Sequence, residues 1–131
     1  MNFFQAIKSA LSKYARFSGR SLRSEFWYFQ LFATILSCYS IGTDYLYAHG
    51  WDNYPLFLEM IQNKWLYYLI IFIPQITVSV RRLHDVDRSG WWVLIPFIII
   101  GLIPFLYWVC QKGDEGENRF GPEPLASDKK Q

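Results

Sequence analysis

Arg81-Arg82-Leu83-His84-Asp85-Val86-Asp87-Arg88-Ser89-Gly90-Trp91-Trp92 is the stretch on which the reading of this chain turns. Its first eight positions hold three arginines, two aspartates and a histidine, and long apolar runs lie on both sides. A short basic segment so placed marks a loop between two membrane crossings, with paired Trp at the headgroup level. Upstream, Trp65 to Val80 is free of charge for 16 residues. That is about 24 Å of helix at 1.5 Å per residue, short of a hydrocarbon core of about 30 Å. The span is therefore predicted to reach back to Leu56, as 56–80, with Asp52 or Asn53 as cap, Pro55 at its first position and Glu59 and Lys64 near the far interface. Pro74 is expected to kink it, and Gln75 to bond to a neighbouring helix. Downstream, Trp91 to Cys110 has 20 residues without charge, enough to cross. Pro96, Gly101 and Pro104 interrupt it. A kinked span over 91–110 is the preferred reading, and a re-entrant hairpin turning near Gly101 is the rival.

Composition agrees. In 131 residues, 52% are hydrophobic and 18% charged, against a usual charged share of about 25%. A chain this short cannot cover three such runs with its own polar surface. The predicted fold class is an all-α membrane protein: one domain over 1–125, with three transmembrane helices and an N-terminal amphipathic interfacial helix, then a disordered tail over 126–131. Net charge is +2, which gives no signal for nucleic acid. Cys38 and Cys110 both lie in apolar runs and read as small packing residues. No cleavable signal peptide is visible; the run from Phe26 reads as a signal anchor.

The amphipathic helix is placed over 2–17, with Phe4, Ile7, Leu11 and Tyr14 on one stripe and Gly19 as its stop. Ser21 or Ser24 is expected to cap the next helix, with Glu25 favourable in its first turn. The first span is placed over 26–47. Along it Gln30, Thr34, Ser37, Ser40 and Asp44 share a face suited to helix contact; Asp44 reads as a solvated end residue.

Lys and Arg number five before the first span, one in the loop after it, three in the central loop and four in the tail. The imbalance places the N-terminus and the central loop in the cytoplasm. Three full spans give eight basic residues inside and five outside; a re-entrant third run gives twelve and one. Arg20, Arg23, Arg81, Arg82 and Arg88 then gather at one interface, where guanidinium forks suit phosphate headgroups or a phosphorylated ligand. The competing reading is that these arginines set topology and pair with Glu25, Asp85 and Asp87. His84 and Asp85 are adjacent, and adjacent helical residues point about 100° apart, so they are not expected to form a catalytic dyad. No G-x-S-x-G, H-E-x-x-H, P-loop or C-x-x-C is present. Neither a metal nor a cofactor is implied.

Three motifs stand in order along the chain. The first is Phe17-x-Gly19-Arg20-x-x-Arg23-x-Glu25-Phe26-Trp27, and the second is Arg81-Arg82-Leu83-His84-Asp85 with Ser89-Gly90-Trp91-Trp92. The third is Gly113-x-x-Gly116-x-Asn118-Arg119-Phe120-Gly121-Pro122. Together they resemble the small bacterial inner-membrane domain-of-unknown-function family that includes the YhaH- and YhaI-like proteins, over roughly Tyr14 to Pro124. The resemblance implies a multi-pass inner-membrane protein and no activity. It also makes Asn118, Arg119 and Phe120 part of a folded feature. The candidate binding set is thus Arg20, Arg23, Arg81, Arg82, His84, Asp85, Arg88, Asn118 and Arg119. The leading expectation is a non-enzymatic protein that binds anionic lipid or a membrane partner through this cluster. The alternative is a subunit of a small homo-oligomeric channel or transporter, drawn from the polar stripe and the broken third run. An enzyme on a lipid-linked substrate, with His84 as base, ranks last.

Overall fold

A computed structural model describes residues 1–50 and 64–124. The first residues of the second predicted span and the tail beyond 124 lie outside it. Among the described residues four α-helices and two 3-10 segments carry the fold: α1 (Phe3–Ser12), α2 (Arg23–Ala48), α3 (Lys64–Asp85), 3-10 segments at Gly90–Phe97 and Ile99–Gly101, and α4 (Leu102–Cys110). Among the described residues the β structure amounts to one isolated bridge, Asn118 to Gly121.

α1 opens on a capping box. The Asn2 side chain accepts from the Gln5 amide at 2.9 Å, and the Gln5 side chain accepts from the Asn2 amide at 3.0 Å. It ends at Ser12, well before the predicted Phe17. The Ser12 hydroxyl and the Lys13 amide both turn back to the Ser9 carbonyl, and the chain then leaves the helix so that the Tyr14 carbonyl reaches the Thr77 hydroxyl at 3.0 Å. Its packed side is Ala6 and Ala10, both fully buried, while Phe4 and Leu11 of the predicted stripe face outward. Small residues let α1 lie close on α2, where Phe3 meets the edge of Tyr28.

α2 buries Phe26, Phe29 and Ala33 on one stripe and exposes Leu31, Ile35 and Ile41 on another. Of its polar stripe, Gln30 accepts from Gln75 of α3 at 3.2 Å. Thr34 and Ser37 return their hydroxyls to carbonyls of their own helix. α3 contains Pro74 and runs past the predicted Val80 to Asp85. Asp87 then adopts φ +52°, with its amide on the His84 carbonyl and the Arg88 amide on the Leu83 carbonyl. That is a Schellman C-cap, with Asp in the place usually held by glycine.

The third apolar run departs from the preferred reading. It is not one rod: its 3-10 half and α4 are separated at Ile98, and the run doubles back so that the Trp92 and Trp108 rings meet at 5.3 Å. Gly101 makes the reversal possible, because a Cβ there would overlap the Ile95 backbone and side chain. Pro104 falls in the first turn of α4, where a missing N–H leaves nothing unpaired. The run is thus folded back on itself and is not one continuous helix. Among the described residues no helix is long and apolar enough to cross a membrane. α2 has the length, 26 residues, but its apolar side chains are diluted by serines, threonines, tyrosines and Asp44. The most apolar run has the composition but is folded in two.

The buried core, Ala10, Phe26, Phe29, Val78, Leu83, Phe105 and Val109, draws on all four helices. It holds together the chain ends that carry the charged motifs.

Candidate functional site

The three motifs meet in one polar platform at the C-terminal end of α3. Arg20 lies in the linker between α1 and α2 and is buried there. Its Nε donates to Asp85 Oδ1 at 2.9 Å. Its terminal nitrogens donate to the carbonyls of Asp114, Gly116 and Gly121. One guanidinium thus ties the first motif to the second and the third.

Arg82 is fully buried. Its Nε donates to the Val109 carbonyl at 3.1 Å, and its terminal nitrogens donate to the Gln111 carbonyl and to Asp85 Oδ2. It caps α4, whose last carbonyls have no partner within the helix. Asp85 consequently sits between two guanidiniums. Burial pushes its carboxyl above the ordinary value, and Arg82 and Arg20 pull against that. The Asp85 carbonyl also accepts from the Asp114 amide at 2.8 Å. Position 113 must be glycine for this, since a Cβ there would stand inside the Asp85 carboxylate.

A second buried pair lies toward α1. Arg81 donates to Glu25 Oε1 at 3.1 Å, with both side chains 2% exposed or less. Glu25 also accepts from the hydroxyls of Ser9 at 3.0 Å and Ser21 at 2.8 Å. The Ser21 amide donates to the Arg81 carbonyl at 3.0 Å. A carboxylate with three donors withstands burial that would be costly for a lone charge.

His84 faces a third way. Its Nδ1 donates to the Gly19 carbonyl at 3.1 Å, and its ring stacks on Phe120 with centroids 3.8 Å apart. Burial holds the imidazole below its ordinary pKa; the Gly19 bond opposes this and the Arg119 charge adds to it. The Asn118 amide group donates to the His84 carbonyl at 2.9 Å, and its oxygen accepts from the Phe120 amide at 3.0 Å. Arg119 donates to Asp87 through Nε at 2.8 Å and lies over the Phe120 ring.

Of the residues expected to form the cluster, Arg20, Arg81, Arg82, His84, Asp85, Asn118 and Arg119 come together. Arg23 is exposed at the start of α2, beside a neighbouring cavity that Asp85, Lys112 and Asp114 also line. Arg88 reaches outward over the Trp108 ring, 5.1 Å from its centroid. His84 and Asp85 serve different partners and do not act on each other. Among the described residues no set of His, Cys, Asp and Glu is placed to hold a metal ion. Sequence reasoning missed the roles of Ser9 and Gly113, and named Glu25 as a partner for the arginines in the competing reading, which the Arg81 pair matches. Only Glu25 carried a usable signal, as the single acid among the nearby arginines of the first motif. A cavity of about 300 Å³ beside the platform is lined by Lys13, Arg16, Arg20, Glu25, Arg81 and Phe120, among others. Lys13 and Arg16 were not among the expected binding residues either.

A family model described as "Protein of unknown function (DUF805)" matches residues 14–122. Inner membrane protein YhaI of Escherichia coli (strain K12) is 38% identical over 117 residues, covering 88% of this chain and 92% of that protein. Inner membrane protein YhaH of the same organism is 40% identical over 121 residues, covering 87% and 91%. No solved structure matches the chain.

Proposed function

The chain belongs to that family of proteins of unknown function, and from this premise we propose that it is a bacterial inner-membrane protein that binds anionic lipid at a cytoplasmic platform and performs no chemistry on it. The relatives' names supply the compartment. The outer surface fits it. Phe97, Ile99, Ile100 and Ile103 of the hairpin are each more than 70% exposed, and a soluble monomer rarely leaves contiguous apolar surface of that kind open.

One observation carries the reading. Arg20 binds carbonyls from Asp114 to Gly121, so the N-terminal linker, the central loop and the closing loop lie on one side of any membrane that holds this fold. With that arrangement twelve of the thirteen basic residues fall on one side and Lys64 on the other, the strongest asymmetry the sequence permits and a cytoplasmic signature. The hairpin enters the bilayer from the platform and returns to it. Irregular backbone at that depth is tolerated where protein covers it, and α3 lies against the 3-10 half. The buried arginines hold the platform together, and its exposed cations face the headgroups.

The test is a pair of reporter fusions after Gln131, one active only in the cytoplasm and one only outside. Activity of the cytoplasmic reporter is expected. Activity of the outer one overturns the arrangement, because Arg20 and Asp114 would then lie on opposite sides.

A further inference from the structure

We propose that the cavity between the end of α1, the Gly19–Leu22 linker and the closing loop is a binding site for a phosphate-bearing anion, held by Lys13, Arg16 and Arg81. The proposal rests on the membrane reading above and gives it a specific site.

Four cations line this space, Lys13, Arg16, Arg20 and Arg81, against two acids, Glu25 and Glu123. The acids are already engaged. Glu25 takes the Ser9 and Ser21 hydroxyls and Arg81, and Glu123 accepts from the Gly116 amide at 3.2 Å. Arg20 is likewise committed, to Asp85 and three carbonyls. That leaves Lys13, Arg16 and Arg81 around one carboxylate: Arg81 bonds Glu25 at 3.1 Å, Lys13 stands 4.0 Å from it and donates to the Ser9 hydroxyl at 3.0 Å, and positive charge remains in excess.

Arg81 gives the independent sign of a ligand. Its side chain is 1% exposed, yet its Nε is buried with no hydrogen-bond partner among the described residues. A buried guanidinium N–H left unpaired is costly, so such a group is expected to have a partner in the working protein. Arg81 lines the cavity, and its Glu25 bond is made by a different nitrogen. The remaining cations are placed differently: Arg16 is exposed and Lys13 half-buried, so an anion entering from the surface meets them first. A phosphate group suits three convergent N–H donors better than a carboxylate does, because it offers more acceptor oxygens and more charge. The volume, about 300 Å³, lies at the small end of ligand sites, which run from roughly 300 to 1,000 Å³. It admits a phosphate or a phosphoester headgroup. The exposed Phe4, Leu11 and Phe17 on the same segment would rest in the acyl boundary when a lipid is the source.

The experiment uses the full-length protein purified in a neutral detergent. Inorganic phosphate is titrated calorimetrically, and retained phosphatidylglycerol and phosphatidylcholine are counted by native mass spectrometry. The comparison variant is Lys13→Gln with Arg16→Gln; Arg16 is exposed, and Lys13 touches the buried Arg81–Glu25 pair from its edge, at 3.0 Å from the Ser9 hydroxyl and 4.0 Å from Glu25. Loss of two charge-assisted bonds is expected to weaken binding by about tenfold or more. If the variant weakens both phosphate and phosphatidylglycerol, the site takes the phosphate group from either source. If it weakens phosphatidylglycerol alone, the source is the membrane lipid. Phosphate binding that is absent, together with phosphatidylglycerol retention equal to wild type or to phosphatidylcholine, overturns the proposal. The membrane fraction of each variant is measured in parallel: a protein absent from the membrane refutes the reading beneath, whereas an inserted protein that ignores phosphate refutes the site alone. Arg81→Lys provides a second check. It keeps the charge for Glu25 and removes Nε, so phosphate affinity should fall while thermal stability changes little.

Discussion

Gly113 shows how much a single hydrogen decides. The closing loop passes so near Asp85 that its carboxylate fills the space a Cβ would need, and that carboxylate is the one shared by Arg20 and Arg82. Gly113→Ala is expected to push the carboxylate off at least one guanidinium and to destabilise the protein by about 1–3 kcal/mol, as overpacking of a tight site does. Thermal unfolding in detergent would register it as a clearly lowered midpoint; an unchanged midpoint means the loop does not dock there. The third motif begins at this glycine, but nothing in the sequence shows what it accommodates. It has no left-handed backbone to betray it, and the group it accommodates is 28 positions earlier. Glu25 was more legible, because an acid among Arg20, Arg23 and the central arginines has few other uses. The sequence reading offered two roles for the arginines, ligand binding and internal pairing with Glu25, Asp85 and Asp87. Arg20, Arg81 and Arg82 are used internally, and the exposed cations beside the cavity are ones the motif did not point to.

At the scale of the element, helix termini carry the information. α3 stops in a Schellman turn whose left-handed residue is Asp87. Aspartate tolerates that conformation better than most residues, and a β-branched side chain tolerates it poorly. Asp87→Val and Asp87→Gly both remove the exposed ion pair with Arg119, worth little by itself. They differ in the backbone cost, so the valine variant is expected to be less stable than the glycine variant by about 1 kcal/mol. Chemical denaturation of the two side by side measures the difference. Periodicity located α2 and most of α3 because long apolar segments leave a strong pattern. It failed at the end of α1, where serine hydroxyls compete for carbonyls, a contest the apolar spacing does not record. It also failed to choose between rod and hairpin for the third run. Pro96, Gly101 and Pro104 announce an interruption; whether the chain then bends or reverses depends on Ile95 and Trp92 finding Gly101 and Trp108, contacts no local pattern encodes.

Across the whole molecule, the docking of the closing loop makes stability depend on pH. His84 lies between Gly19 and Phe120 with its pKa held down, chiefly by burial. At pH 8 the imidazole is neutral in both folded and unfolded chains, and the folded state loses nothing. Once pH falls through the ordinary histidine value of about 6.5, the unfolded chain takes up a proton more readily than the folded one. Stability is therefore expected to decline on acidification from about pH 7 to 5.5. His84→Gln should flatten that dependence, and unfolding midpoints across the range would decide; a wild-type midpoint that rises over the same interval contradicts the sign.

The Arg20 clamp has a last consequence, for biogenesis. Its donors and the Asp114 carbonyl are separated by 94 positions. A ribosome adding about 5–20 residues per second needs roughly 5–20 s to cover that interval. Over that interval Arg20 waits for its carbonyl partners, Asp85 is made 65 positions after it, and the carbonyls that Arg82 caps follow at Val109 and Gln111. Closure thus waits for the closing loop, and a chain that stops before residue 114 is left with its clamp open.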